Sequence, residues 1–155
     1  MKKATICFLV RNGEVILAKK KSKVGAGFYN GYGGKVDGEE TSRQCAIRET
    51  HEECSAQINP DKIELAASID FYTGEKPQFS CDIFIANEWV GEPKGSDEMG
   101  VPERFNLSSL PYDQMLAGDQ LWFKRIMDGE RFKGVMRYSA DFSKVESFET
   151  EPTVF

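Results

Sequence analysis

Residues 34–56 read G-K-V-D-G-E-E-T-S-R-Q-C-A-I-R-E-T-H-E-E-C-S-A, with Arg48, Glu49, Glu52 and Glu53 crowded into the second half. At about 100° per residue, Glu49, Glu52 and Glu53 fall within an arc of roughly 100° on a helix. Ile47, Thr50 and Cys54 lie on about the opposite side at i, i+3 and i+7, the spacing expected of the buried stripe. Like charges on one helical face repel by roughly a few tenths of a kcal/mol per pair. A divalent cation turns that repulsion into attraction, and carboxylate oxygens suit Mg²⁺ alongside waters and substrate phosphates. Taken alone, the three glutamates also describe an ordinary solvated helix face. The preceding residues favour the first description: Tyr32, Gly33 and Gly34 lead in, and Gly38 lies in the loop. Glycine lets the backbone turn sharply and approach a ligand closely. A glycine-bearing loop entering a helix also offers N–H groups to phosphates. The helix is expected to start at Glu40 or Thr41 and end near Cys54.

Outward from this segment, residues 4–10 are apolar with β-branched members and predict a strand. Asn12-Gly13 is a strong hairpin turn because both residues tolerate positive φ, and residues 14–18 return as its partner. Thr5 is a polar side chain in an apolar strand, which reads as a satisfied core hydroxyl. Lys19, Lys20, Lys21 and Lys23 form a run that is usually a solvated face. Here the run leads into a stretch rich in glycine and aromatics, where a lysine could meet a triphosphate as a point charge. Asn30 offers a donor and an acceptor to a base edge, or is a turn asparagine tolerating the left-handed region.

Downstream, residues 63–72 predict a strand, 73–77 a turn and 79–89 a long strand. Phe79, Cys81, Ile83 and Ile85 share one of its faces by the period-2 rule. Phe71, Tyr72 and Phe79 are either core or a stacking surface for a base, and pattern does not separate the two. Residues 104–107 predict a short strand and 108–111 a helix start. Leu121, Trp122, Phe123 and Ile126 make a helical apolar pattern over 119–127, and late strands follow at 132–138 and 145–148. Strands with one helix between them and one late predict an α/β chain with helices on both faces of a mixed sheet.

At 155 residues the chain is the size of one domain, read here as 1–155 without an internal linker. Its net charge of −5 argues against a broad nucleic-acid surface, so no stable nucleic-acid partner is expected. The four cysteines show no C-x-x-C pairing and His51 is the one histidine, which argues against structural zinc and for reduced thiols. His51 reads as an exposed helix residue. With no long apolar run or signal peptide, the expectation is a soluble, cytoplasmic monomer.

The 34–56 segment resembles the Nudix signature, G-x5-E-x7-R-E-U-x-E-E-x-G-U with U aliphatic. Gly34, Glu40, Arg48, Glu49, Glu52, Glu53 and Ala56 fall in register, while Thr50 replaces an aliphatic and Ser55 a glycine. The likeness extends to the MutT-type 8-oxo-dGTP diphosphatases, especially the animal form. It is carried by G-A-G-x-x-N-G-x-G-G-K-V at 25–36, S-D-E-M at 96–99, D-x-x-W-F at 119–123 and F-K-G-x-x-x-Y at 132–138.

The resemblance implies a Nudix α/β/α sandwich with a mixed sheet between helices. It also implies a pyrophosphohydrolase of oxidised purine nucleoside triphosphates, giving monophosphate and pyrophosphate and so sanitising the nucleotide pool. By it, Glu49, Glu52, Glu53, the Gly33 carbonyl and Glu98 hold Mg²⁺, with Mn²⁺ as an alternative. Arg48 orients a glutamate, and Glu52 or Glu98 takes the proton from water. Substrate contacts fall to Thr5 and Asn30 near the base, Lys20 and Lys35 near phosphates, and Tyr32, Gly34, Phe79 and Asp119. Asp119 matches one of a pair of base-reading acids, and a protonated carboxyl there could donate to a purine provided burial raises its pKa. Gly118 stands where the other acid would be, Leu116 where a base-stacking tryptophan would be, and Val24 in place of a pocket phenylalanine. These departures leave the base open, so ordinary dNTPs, nucleotide sugars and RNA 5′ ends stay as other substrates. A catalytically silent nucleotide-binding module is a reading of another class, and the intact Arg48, Glu49, Glu52 and Glu53 argue against it.

Overall fold

The computed structural model describes residues 1–23 and 25–155. Val24, which the resemblance places at a pocket position, lies outside the described residues. Strands β1 (Lys2–Arg11) and β2 (Glu14–Lys19) form the expected hairpin, with Asn12 at φ 55° and Gly13 at φ 76°. Both central residues at positive φ match the twist of the flanking strands. Two short strands, β3 (Tyr29–Asn30) and β4 (Tyr32–Lys35), bring the chain to helix α1 (Ser42–Cys54). Strands β5 (Ile63–Thr73) and β6 (Lys76–Ala86) turn at Gly74-Glu75, and β7 (Glu103–Asn106) precedes helix α2 (Asp119–Met127). Strands β8 (Phe132–Tyr138) and β9 (Val145–Pro152) complete the chain.

The sheet runs β3-β2-β1-β6-β5-β8-β9, with β4 paired to β1 and β7 to β2. β1 with β6 and β5 with β8 are parallel, while the remaining pairs are antiparallel, so the sheet is mixed. Alternation along β1 sorts two cores. Cys7 and Leu9 pack with Ala46 and Cys54 of α1, whereas Phe8 packs with Trp122, Phe123 and Ile126 of α2. One helix therefore covers each face. Cys81 and Ile83 lie in the α2-side core with Phe79 and Ile85 packed against it, the shared face expected from their spacing.

The ends of α1 follow from its sequence. Thr41 caps it, its hydroxyl accepting from the Gln44 N–H while the Gln44 side chain accepts from the Thr41 N–H. At the other end Ser55 takes φ 71°, where the Nudix signature has glycine, and its N–H bonds the His51 carbonyl at 2.8 Å. Thr50, the other departure, is buried and donates to the Ala46 carbonyl at 2.7 Å, so its hydroxyl is satisfied inside the helix.

Two expectations are corrected. The buried face of α1 is not opposite the glutamates: Cys45, Ala46 and Glu53 are buried with Thr50 and Cys54, while Ile47 is half-buried. The helix lies on the glycines of β4, which leave room for acidic side chains on its inner edge. Residues 108–111 do not start a helix either. The Ser108 hydroxyl donates to Asn106 Oδ1 at 2.7 Å in a local turn, and only a single 3₁₀ turn, Tyr112–Gln114, follows Pro111. α2 begins behind Gly118, whose φ of 94° turns the chain into the helix.

Candidate active site

The first face of the site is assembled by β4 and α1. Gly34 is paired to Thr5 and Gly33 to Ile6. A Cβ on Gly34 would stand 2.5 Å from the carboxyl carbon of Glu49, and one on Gly33 would stand 1.8 Å from the Thr5 carbonyl oxygen. Glycine at 33 is thus a requirement of close backbone approach, while a side chain at 34 would displace the Glu49 carboxylate. The Gly33 N–H donates to Glu53 Oε1 at 2.9 Å. Glu98 arrives from the 94–100 loop, which is laid on the end of β2. Lys21 N–H donates to the Glu98 carbonyl at 3.0 Å, and the Lys21 ammonium donates to the Ser96 carbonyl at 2.6 Å.

One carboxylate oxygen each from Glu49, Glu53 and Glu98 then lie within 4.8 Å of one another. Burial pushes the Glu53 carboxyl up to about 8; the Gly33 N–H opposes this, and the charges of Glu49 and Glu98 add to it. Glu49 is raised too, chiefly by burial. Three hard oxygen donors, two of them with ionisation suppressed by burial, are a set that a divalent cation fits, because its charge favours the ionised forms of Glu49 and Glu53. Glu52 stands apart from this trio, with its side chain about half exposed and paired to Arg48 at 3.2 Å.

Arg48 is the organiser of the acidic face. It bonds Glu40 through Nε at 3.0 Å and Nη2 at 2.7 Å, and Glu49 through Nη1 at 3.0 Å. Its Nη2 also reaches the Lys35 carbonyl at 3.3 Å. The hydrogen bonds from Arg48, followed by the Asp37 N–H, hold the Glu40 carboxyl at about 2. A bidentate Arg–carboxylate pair fixes orientation as well as charge.

The second face lies across β1. Asp119 is 6% exposed, and burial raises its carboxyl to about 7 against a weaker lowering by a backbone hydrogen bond from Leu116. Its charge reaches Cys81, whose strand partner is Ala4, and Tyr138. Phe79 is half-buried and stacks on Phe71 with centroids 4.9 Å apart. Gly118 has no space for a side chain: a Cβ would meet Met136 Sδ at 2.8 Å and both Tyr138 Oη and Val145 Cγ2 at 3.0 Å. Leu116 and Lys20 both flank Gly25, their side chains 3.6 Å and 3.5 Å respectively from the position a Gly25 Cβ would take.

The remaining expected contacts divide. Lys35 is exposed and Lys20 half-buried, the latter bridged to Ala26 and Met99. Asn30 is 9% exposed, its Oδ1 accepting the Gly31 N–H at 2.8 Å, so part of its hydrogen-bonding capacity is used in its own turn. Tyr32 is fully buried in the α1-side core, its hydroxyl without a hydrogen-bond partner among the described residues, so its side chain does not reach a substrate in this conformation. Thr5 is 1% exposed and faces Cys45 Sγ at 3.3 Å, the satisfied interior hydroxyl that its strand context suggests. Cys45, unassigned from sequence, fills the space between Thr5 and the Lys35 carbonyl, 3.3 Å away. Its partner Thr5 lies 40 residues away, so local spacing carries no signal for it. All four cysteines are free and buried.

A groove of about 700 Å³ lies elsewhere, lined by Val10, Asn12, Lys62, Ile85 and Arg131 among others. Its Lys62 and Arg131 are already paired with Glu88 and Glu64, and it holds none of the carboxylate trio. Convergent acids mark the chemistry here better than volume does. Among the described residues no helix is long and apolar enough to cross a membrane.

Known proteins are similar to this chain in sequence and fold. The chain is 38% identical to the zebrafish (Danio rerio) "oxidized purine nucleoside triphosphate hydrolase" over 135 residues, covering 86% of this chain and 85% of that protein. The mouse (Mus musculus) protein of the same name is 31% identical over the same shares. The crystal structure of the MutT protein from Bacillus halodurans superposes with a TM-score of 0.83 at 25% identity, covering 99% of this chain and 100% of that one. Residues 1–127 match the NUDIX domain, a span that contains the glycine-bearing β4, the acidic α1, Glu98 and Asp119. The two-faced sheet and the acidic helix laid on its glycines are thus those of a Nudix hydrolase, and the chain belongs to that family.

Proposed function

We propose that this chain is a Mg²⁺-dependent pyrophosphohydrolase of oxidised purine nucleoside triphosphates such as 8-oxo-dGTP, releasing the monophosphate and pyrophosphate. The observation that carries the reading is the convergence of Glu49, Glu53 and Glu98 within 4.8 Å. The zebrafish and mouse relatives, named for oxidised purine nucleoside triphosphates, supply the substrate class. When bound, the cation neutralises phosphate charge and acidifies the attacking water.

The chain's own residues do the rest. Glu49, Glu53 and Glu98 would hold the cation, and Glu52, here paired with Arg48, would be the further carboxylate available to it. Arg48, locked to Glu40, keeps Glu49 from swinging outward. Glu52 or Glu98, both exposed, is placed to accept the water's proton. Lys20 and Lys35 flank the phosphates as point charges. Asp119, whose carboxyl burial raises to about 7, donates in its protonated form to an acceptor on the purine, and half-buried Phe79 offers a ring face to that purine.

The test is kcat/KM for 8-oxo-dGTP against dGTP with Mg²⁺, read by pyrophosphate release. A ratio of about 100 or more, worth about 2.7 kcal/mol, supports a pool sanitiser. A ratio near one keeps the hydrolase chemistry and redirects the substrate search to other nucleoside diphosphate derivatives. Gly118 gives that second reading its footing, because the turn has no room for a second acid.

A further inference from the structure

Residues beyond 127 lie outside the matched NUDIX span, yet they form a wall of the Asp119 face. Tyr138, the last residue of β8, is 6% exposed. Its ring extends the Phe79–Phe71 stack, 6.2 Å from Phe71 at an interplanar angle of 17°. Its hydroxyl donates to the Ala117 carbonyl at 2.6 Å. That carbonyl lies two residues before Asp119. The other bonds of the segment are local: Tyr112 N–H to the Leu110 carbonyl, Gln114 N–H to the Pro111 carbonyl, Met115 N–H to the Tyr112 carbonyl, Asp119 N–H to the Leu116 carbonyl and Leu121 N–H to the Gly118 carbonyl. Among the described residues, the Tyr138 hydroxyl is the hydrogen bond that ties 112–118 to the sheet. The same hydroxyl lies 3.0 Å from where a Gly118 Cβ would be, so it both anchors the turn and closes it to larger residues.

We propose that Tyr138 is a positioning residue for substrate selection, its hydroxyl fixing the 116–118 turn so that Asp119 meets the base edge in one orientation. The proposal rests on the reading above that Asp119 contacts the base. A phenylalanine would keep the ring stack but release the turn, so the β8–β9 hairpin acts through Asp119 and not on the reacting phosphates.

The experiment is a double-mutant cycle of Tyr138→Phe and Asp119→Ala, with kcat and KM for 8-oxo-dGTP read by pyrophosphate release. Loss of one hydrogen bond to a turn predicts a KM about tenfold higher in Tyr138→Phe, with kcat within about twofold. In the Asp119→Ala background the same change should move KM less than about twofold, because the group it positions is gone. A fall in kcat at constant KM, which loss of folded protein would give, overturns the proposal. So does an undiminished Tyr138→Phe effect in the Asp119→Ala background. If Asp119→Ala raises KM and Tyr138→Phe does not, the positioning role fails while base reading stands. If Asp119→Ala leaves KM unchanged, base reading itself fails and the positioning role with it.

Discussion

Asp119→Asn isolates the energetic consequence of burying a carboxyl at the start of α2. The folded protein holds the Asp119 proton up to about pH 7, against an ordinary value of 3.8. Between those values the native state binds a proton that the unfolded chain has released, so stability falls as pH rises. The stabilising contribution is complete below about pH 4 and lost once pH has risen through about 7. Three pKa units at about 1.4 kcal/mol each give an upper bound of about 4 kcal/mol, and water entry or relaxation reduces this to about 2–4 kcal/mol. Asparagine has nearly the same shape and does not titrate. Above pH 8 the variant should therefore be more stable than the parent by about 2–4 kcal/mol, or about 4–16 °C in Tm. Near pH 4 the two should agree within about 1 kcal/mol. Thermal melts from pH 4 to 9 test this through the difference between the two curves, which removes every other titrating group. Parallel curves would refute the buried-proton argument, and with it a neutral Asp119 as donor to a purine.

Glu53→Gln should reduce turnover at least about 100-fold, because a ligand is lost from an all-carboxylate set, while the fold is kept. Pyrophosphate release with a circular dichroism melt checks it, and unchanged turnover would sink the metal assignment. Asp119→Ala should raise KM for 8-oxo-dGTP far more than for dGTP, and equal losses would count against base reading. Ser55→Gly should stabilise the protein by about 0.5–1 kcal/mol, since φ 71° suits glycine better than serine; a denaturant melt at fixed m-value reads it. Gly118→Ala should destabilise by about 2–4 kcal/mol, from a strained φ and contacts at 2.8–3.0 Å. A Tm change under 2 °C would contradict the packing described there.

Local interactions were legible before any coordinates. The β1–β2 turn depends on two adjacent residues, the α1 cap on residues three apart, and the α2 stripe on one helical period. The acidic helix and its glycine lead-in also pointed to a metal and to phosphate chemistry, since like-charged crowding needs a counter-ion. The misreadings around α1 share one cause. Sequence spacing placed the buried stripe of α1 opposite the glutamates, but the bare backbone of Gly33 and Gly34 lets Glu49 and Glu53 face inward. Tyr32 stands next to those glycines in sequence, yet its side chain points into the core on the strand's alternation.

What the sequence by itself determined is the β1–β2 hairpin, the long and late strands, the two helices and the acidic chemistry of α1, because these arise from side chains close together along the chain. Only the tertiary structure decided which acids meet. Glu98 joins Glu49 and Glu53 across 45 or more positions, and Glu52 turns to Arg48 instead. Tertiary packing likewise raised Asp119 by taking it out of water, left Gly118 no room for a side chain, and brought Tyr138 of β8 to the turn before α2. Desolvation and close packing depend on the whole surroundings of an atom, and those surroundings exist only once distant strands have paired.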